Sequence, residues 1–284
     1  MAFLDELGAT LKGAGKVLLL SRPGAAGRYR AARSGRIFIL GNGPSLREAI
    51  DRFGARLADE DTLAVNFALN APEIQALRPG RYVLADPHFF RRSGEDANVD
   101  ALWENIGRAD WSLTLFVPAA FVAAARARLA SPTVIVKPFN AVGVEGFRAF
   151  RRRVYKSALA MPRPRNVLIP SVMLAIWSGY KTIVLLGADH SWMKTLAVSD
   201  DNEVVSVQPH FYKEDSREEK RVRHEYRGYR LHHIVESFAV AFKAYHHIAE
   251  FASAEDVEIV NATPGSFIDA FRRADLSDIL SRPR

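Results

Sequence analysis

Short apolar runs recur along the chain, each ending in polar or glycine-rich residues and followed by a segment of helical periodicity. The first is Ile37-Phe38-Ile39-Leu40, apolar throughout with two β-branched residues, the pattern of a short strand buried on both faces. It runs directly into Gly41-Asn42-Gly43-Pro44-Ser45, after which residues 46–57 carry a helical pattern. Residues 62–66, 81–88, 113–118, 133–136, 182–187 and 257–261 read as further strands. Helical stretches lie between them: over 119–129, from Ile169-Pro170-Ser171 to a stop at Gly179, and over 231–251. A turn and a short helix are expected over 263–271. Strands alternating with helices predict an α/β fold, a doubly wound and mainly parallel sheet.

Two stretches interrupt the alternation. Residues 138–165 are basic and irregular, with Arg148, Arg151, Arg152, Arg153, Arg163 and Arg165. Residues 193–230 are polar and charged without a period, and contain His210-Phe211-Tyr212, Tyr226 and Tyr229. A long patternless segment inside a domain reads as a lid. At the other end, residues 1–20 have a loosely amphipathic helical pattern through Phe3, Leu4, Leu7, Leu11 and Val17, followed by Arg22, Arg28, Arg30, Arg33 and Arg36. This basic arm has two readings: an interfacial element that touches anionic lipid at the inner membrane surface, or the plainer solvated linker or docked terminal helix. The expected organisation is an N-terminal arm over 1–35, one α/β domain over 36–275 with its lid at about 193–230, and a C-terminal tail over 276–284.

Composition narrows the chemistry. The 284 residues are 48% hydrophobic, enough for one large domain with a lid. There is no cysteine, which excludes disulfides, thiol catalysis and cysteine-ligated metals. The formal charge of +7 suits an anionic partner such as a nucleotide, an anionic glycan or a membrane surface. Nucleic acid has only that charge behind it and is not expected. No apolar stretch is long enough to span a bilayer, and Val17-Leu18-Leu19-Leu20 is too short for a signal-peptide core, so a cytoplasmic protein is expected.

The glycine turn after the first strand is the leading candidate for ligand contact. It lets backbone approach a ligand, and free N–H groups at a helix start favour an anion. The plainer reading is an ordinary turn with Ser45 as N-cap. Asn66 and Asp86-Pro87-His88 stand at other strand ends, where ligands of such sheets bind.

The ordered set of motifs resembles the bacterial sialyltransferases that use CMP-sialic acid. Ile39 to Leu46 is similar to their N-terminal nucleotide-binding motif, Val65-Asn66-Phe67 to their second strand, and Asp86-Pro87-His88 to their Asn-Pro-Ser segment. Ile169-Pro170-Ser171 stands where they have Thr-Ser-Gly, Leu186-Gly187-Ala188-Asp189 resembles their Ser-Gly-Ile-Asp, and Thr263-Pro264-Gly265-Ser266 their Cys-Pro-Asn-Ser. A closer resemblance is to an uncharacterised bacterial branch encoded with polysaccharide genes, through Gly187 to Trp192, His210-Phe211-Tyr212, Leu231-His232 and Asn261 to Ser266. That branch shares its domain type with archaeal 6-hydroxymethylpterin pyrophosphokinase.

The resemblance implies a Rossmann-like sheet of the GT-A-variant sialyltransferase type. It further implies a metal-independent, inverting transfer from a CMP-sugar to a surface glycan or glycolipid, with no cofactor. The nucleotide would lie on Gly41, Asn42, Gly43, Pro44, Ser45, Asn66, Asp86, Ser171, Gly187, Asp189, Thr263, Gly265 and Ser266. A His at the junction of lid and helix would be the general base, which makes His232 the first candidate and His233 its rival. His190, His210 and Tyr212 are candidates for acceptor contact or for protonating the leaving group, or they pack the lid against Trp192. His246, His247 and His224 are expected to be surface or packing residues. Two alternatives stay open. A pterin pyrophosphokinase would need Mg²⁺ and ATP, with Asp86 and Asp189 as the carboxylates. A non-catalytic nucleotide-binding module would keep the glycine turn without needing the lid histidines. A homo-oligomer is left open.

Overall fold

Each apolar run forms a strand whose alternate side chains enter opposite layers. The computed structural model describes residues 2–23, 29, 35–90, 93–206 and 228–282. The strands are β1 (Arg36–Leu40), β2 (Thr62–Val65), β3 (Arg81–Val83), β4 (Leu113–Pro118), β5 (Val134–Phe139), β6 (Thr182–Leu186), β7 (Leu196–Val198), β8 (Val204–Ser206), β9 (Glu258–Asn261) and β10 (Arg272–Arg273). Among the described residues one sheet has eight strands in the order β10-β9-β6-β1-β2-β3-β4-β5, and its pairings are parallel. This is the doubly wound α/β fold that the alternation of elements predicts.

Helices cover both faces. Phe38 and Leu40 point into one layer, with α2 (Ser45–Leu57), α3 (Pro72–Leu77), α4 (Ala97–Gly107), α5 (Val122–Arg128) and the last helix, Leu276–Ser281. Ile37 and Ile39 point into the other, against α6 (Arg148–Lys156), α7 (Leu168–Ser178) and α8 (Leu231–Ala254). α7 is buried along its whole length, and Gly179 ends it in the left-handed conformation (φ +94°). No described helix is long and apolar enough to cross a membrane.

Several sequence expectations are corrected. Residues 148–156 of the irregular stretch are helical, because Val154 and Tyr155 supply a buried face to an otherwise basic segment. The first part of the expected lid is ordered: Trp192–Thr195 is a helical turn, and β7 and β8 form an antiparallel hairpin. Residues 207–227, with His210, Tyr212 and His224, lie outside the described residues, as do Arg28, Arg30 and Arg33 of the arm. The expected C-terminal tail includes a helix, α9 (Leu276–Ser281), whose Leu276, Ile279 and Leu280 are buried. The Arg36 guanidinium, paired with Glu60, also donates to the carbonyl of Ile279 at 2.9 Å and so ties β1 to α9. Residues 2–20 form helix α1 (Ala2–Leu20), and Thr10 Oγ1 accepts the N–H of Phe147 at 2.9 Å.

Candidate functional site

β1 lies between β6 and β2, so the chain leaves it toward one side while β6 returns on the other. A crevice beyond the carboxyl ends of the strands is the usual ligand position at such a switch point. Here the loops after β1 and β6 close on each other. Gly41 N–H donates to Leu186 O at 2.7 Å and Gly43 N–H to Gly187 O at 2.8 Å. A Cβ on Gly41 would lie 2.5 Å from Gly187 O, and one on Gly43 would lie 1.9 Å from Asp189 Oδ2. The glycines are therefore required by the approach of two backbones. Their N–H groups are not free for a phosphate, which corrects the sequence expectation for this turn.

The start of α2 is also occupied. Asp189 Oδ2 accepts from Ser45 Oγ at 2.8 Å, and Oδ1 faces Ser45 N–H at 3.4 Å. Ser45 is thus not the N-cap; Pro44 holds that position, and the anion at the positive end of the helix is the Asp189 carboxylate. Burial pushes the Asp189 pKa above its ordinary value, against the lowering effect of the Ser45 hydrogen bonds.

What remains at the strand ends is a pair of amides. Asn42 follows β1 and Asn66 follows β2. The Oδ1 atom of each is buried without a hydrogen-bond partner among the described residues. Asn66 sits in the left-handed region at φ +51°, which Asn tolerates better than most residues, and its N–H donates to Val83 O. A buried amide oxygen without a donor costs free energy unless a ligand supplies one. Asp86, in the loop after β3, is exposed, with Oδ1 accepting the N–H of His88 at 2.7 Å. The His88 ring nitrogen lies 2.9 Å from Asp96 Oδ2.

Thr263 and Ser266 are buried and their hydroxyls hold the scaffold. Ser266 Oγ donates to Ala188 O at 2.6 Å, and Thr263 Oγ1 accepts from Ala188 N–H at 3.0 Å. Gly265, between them, is exposed with φ +65°. Ser171 is fully buried inside α7, where its hydroxyl donates to Val167 O at 2.7 Å, so it does not face the crevice. The structure thus brings together the loops at 41–45, 187–190 and 263–266, with Asn66 just past the end of the neighbouring strand β2, and leaves Ser171 out.

His190 is the buried titratable group of this cluster. Its backbone is left-handed (φ +50°), its ring packs tilted on Trp192 with centroids 4.2 Å apart, and its Nε2 lies 2.6 Å from Tyr245 Oη. Tyr245 Oη in turn donates to Asn166 Oδ1 at 3.0 Å. A hydroxyl has one proton, so Tyr245 must receive from His190, which fixes the imidazole with hydrogen on Nε2 and the lone pair on Nδ1. Burial pushes the His190 pKa down to about 3. A neutral imidazole with that pKa accepts hydrogen bonds but is a weak base at neutral pH. Asn166 and Tyr245 were not singled out from the sequence. The available signal was a tyrosine in the apolar stripe of α8, whose hydroxyl needs a partner.

His232 and His233 lie exposed in the first turn of α8, and His233 Nδ1 accepts the N–H of Arg230 at 3.2 Å. Their rings are 3.9 Å apart. Among the described residues no hydrogen bond or ring contact joins either to the loops above. α8 itself reaches those loops: Phe238 packs on Trp192 at 5.3 Å, and Phe238 is about 9 Å along the axis from His232. His246 is exposed, with its ring nitrogen 3.1 Å from Asp269, and burial pushes the His247 pKa down to about 4. No cluster of three or more His, Asp or Glu suited to a metal occurs among the described residues.

Comparison with known proteins gives the fold. No family model and no curated protein matches the sequence. Among solved structures, a MAf glycosyltransferase from Magnetospirillum magneticum AMB-1 superposes with a TM-score of 0.50 at 12% identity, over 99% of this chain. The match covers 39% of that structure's chain, so this chain spans about two fifths of its length.

Proposed function

We propose that the chain is a glycosyltransferase that moves a sialic-acid-like or other acidic sugar from a CMP-sugar to a glycan or glycolipid acceptor. The observation that carries this reading is the pair of buried, unpartnered amides, Asn42 and Asn66, at the carboxyl ends of neighbouring parallel strands. Two such acceptors suit a ligand edge that offers N–H donors, as the amino group of cytosine does. The likeness in fold to a glycosyltransferase supports the same class. In the proposed inverting step His232 takes the acceptor hydroxyl's proton as that oxygen bonds to the anomeric carbon. The bond from that carbon to the phosphate oxygen breaks, and CMP leaves with the electron pair. His232 is preferred because it is exposed, whereas the His190 pKa is far below neutral.

Thermal shift tests the nucleotide. CMP without added metal should raise the melting temperature by mass action, and Asn66→Ala should abolish that rise. A rise with ATP and Mg²⁺ but none with CMP would transfer the assignment to a pyrophosphokinase. For the base, His232→Ala should lower transfer, or donor hydrolysis, by ~10²–10⁴ while leaving the CMP shift in place. His246→Ala, on the outer side of the same helix, should be nearly silent. Unchanged turnover in His232→Ala would remove His232 from the mechanism.

A further inference from the structure

We propose that Lys194 is the cation that holds an anionic group of the donor, the nucleotide phosphate or the sugar carboxylate, at the mouth of the crevice. This rests on the transferase reading and names a partner for the charge that reading leaves unmatched. In sheets of this kind a glycine turn and a helix N-terminus usually receive the anion through free N–H groups. Here neither is available. Gly41 and Gly43 donate to Leu186 O and Gly187 O, and the Asp189 carboxylate stands at the start of α2. That carboxylate also repels an arriving anion, so an anion bound near it needs a cation alongside.

The loop after β6 supplies one. Trp192–Thr195 forms a helical turn, in which Lys194 N–H donates to Ser191 O at 2.9 Å and Thr195 Oγ1 to Trp192 O at 3.1 Å. Trp192 fastens the turn to the body by packing on His190 and on Phe238. From this turn Lys194 Nζ reaches over the ring of Phe267, 5.2 Å from its centroid. Phe267 in turn donates its N–H to Asp189 O at 2.9 Å. The ammonium therefore stands where the loop after β6 meets the loop after β9. Asp189 feels its charge: burial raises that carboxyl's pKa, and Lys194 is among the groups that hold it back.

Cations on the adjoining elements are committed elsewhere. Arg47, in the first turn of α2, pairs with Glu73, and the Arg273 guanidinium donates to the carbonyls of Ser266 and Ile268. Lys194 is exposed, and among the described residues its ammonium has an aromatic face beside it and no carboxylate in ion-pair contact. A ring face steadies an ammonium without occupying its N–H groups as an ion pair would. Those donors remain for an anionic oxygen, with which they make the stronger, charge-assisted kind of hydrogen bond.

The test is titration calorimetry of the whole chain, without added metal, with cytidine, CMP and CMP-N-acetylneuraminic acid. Cytidine has neither anion, CMP adds the phosphate, and the third ligand adds the carboxylate. Wild type should bind CMP or the sugar nucleotide at least about tenfold more tightly than cytidine, and less so in high salt. Lys194→Gln, at an exposed position, should melt like wild type, bind cytidine as wild type does and lose most of that advantage. Loss at the CMP step assigns the phosphate, and loss confined to the sugar nucleotide assigns the carboxylate. An advantage fully retained in Lys194→Gln overturns the proposal and leaves the nucleotide reading standing, as does a wild type that binds all three ligands equally. A wild type that binds none of them overturns both.

Discussion

His190 concentrates what single residues contribute here. Its burial and its bond to Tyr245 hold a neutral imidazole beside the Asp189 cap. The linkage to stability has a definite sign. In the unfolded chain His190 takes up a proton near 6.5, but in the folded protein only near about 3. Between those values the unfolded state binds the extra proton. Stability is therefore full above 6.5 and falls as the pH drops toward 3, by about 1.4 kcal/mol per pH unit. His247 acts in the same direction down to about 4, and Asp189, raised by burial, offsets part of the loss. Urea midpoints of wild type should fall from pH 7 to pH 4.5, and His190→Gln should show a visibly flatter profile; parallel profiles would refute the assignment. His190 was legible in the sequence as a candidate, through the resemblance carried by Gly187 to Trp192. Its partners were not, because Asn166, in the loop before α7, and Tyr245, in α8, are distant in sequence and only the packing of α7 on α8 brings them together.

At the scale of elements, the turn after β1 shows what a motif can and cannot convey. The sequence announces a strand, a glycine turn and a helix, and all three are present. It does not say what the glycines are close to. The structure answers with the loop after β6, whose Gly187 carbonyl and Asp189 carboxylate stand against Gly41, Gly43 and Ser45. Gly43→Ala should accordingly destabilise the fold by about 1–3 kcal/mol, since the added carbon meets Gly187 O at 2.6 Å, a backbone atom with little room to yield. A urea midpoint equal to wild type would show that the two loops separate easily. The strands and long helices were readable from periodicity. α6 and α9 were not, because one is dominated by arginines and the other is a single short turn of apolar residues whose burial is decided by the sheet they join. The hairpin of β7 and β8 escaped notice for a similar reason: Val198 is exposed, and the segment lacks the apolar alternation of a half-buried strand.

At the scale of the whole molecule, the strand order has a consequence in time. β1 to β5 are paired neighbour to neighbour, each with the next in the chain, so that half of the sheet is built from nearby segments. β6 instead returns across the chain to β1, with Arg36 opposite Thr182, and β9 adds to β6. Closing so long a loop is entropically slow, and such pairings form late. The seam between the early and late halves runs between β1 and β6, and the loops at 41–45 and 187–190 straddle it. On refolding, pulse labelling should find the amides of β2 to β4 protected before those of Gly41 and Gly43, which bond across the seam; simultaneous protection would refute that order. An unfinished chain therefore lacks the closed contact between these two loops. The crevice comes into being only when the two halves shut, and it is the first place to part when they open.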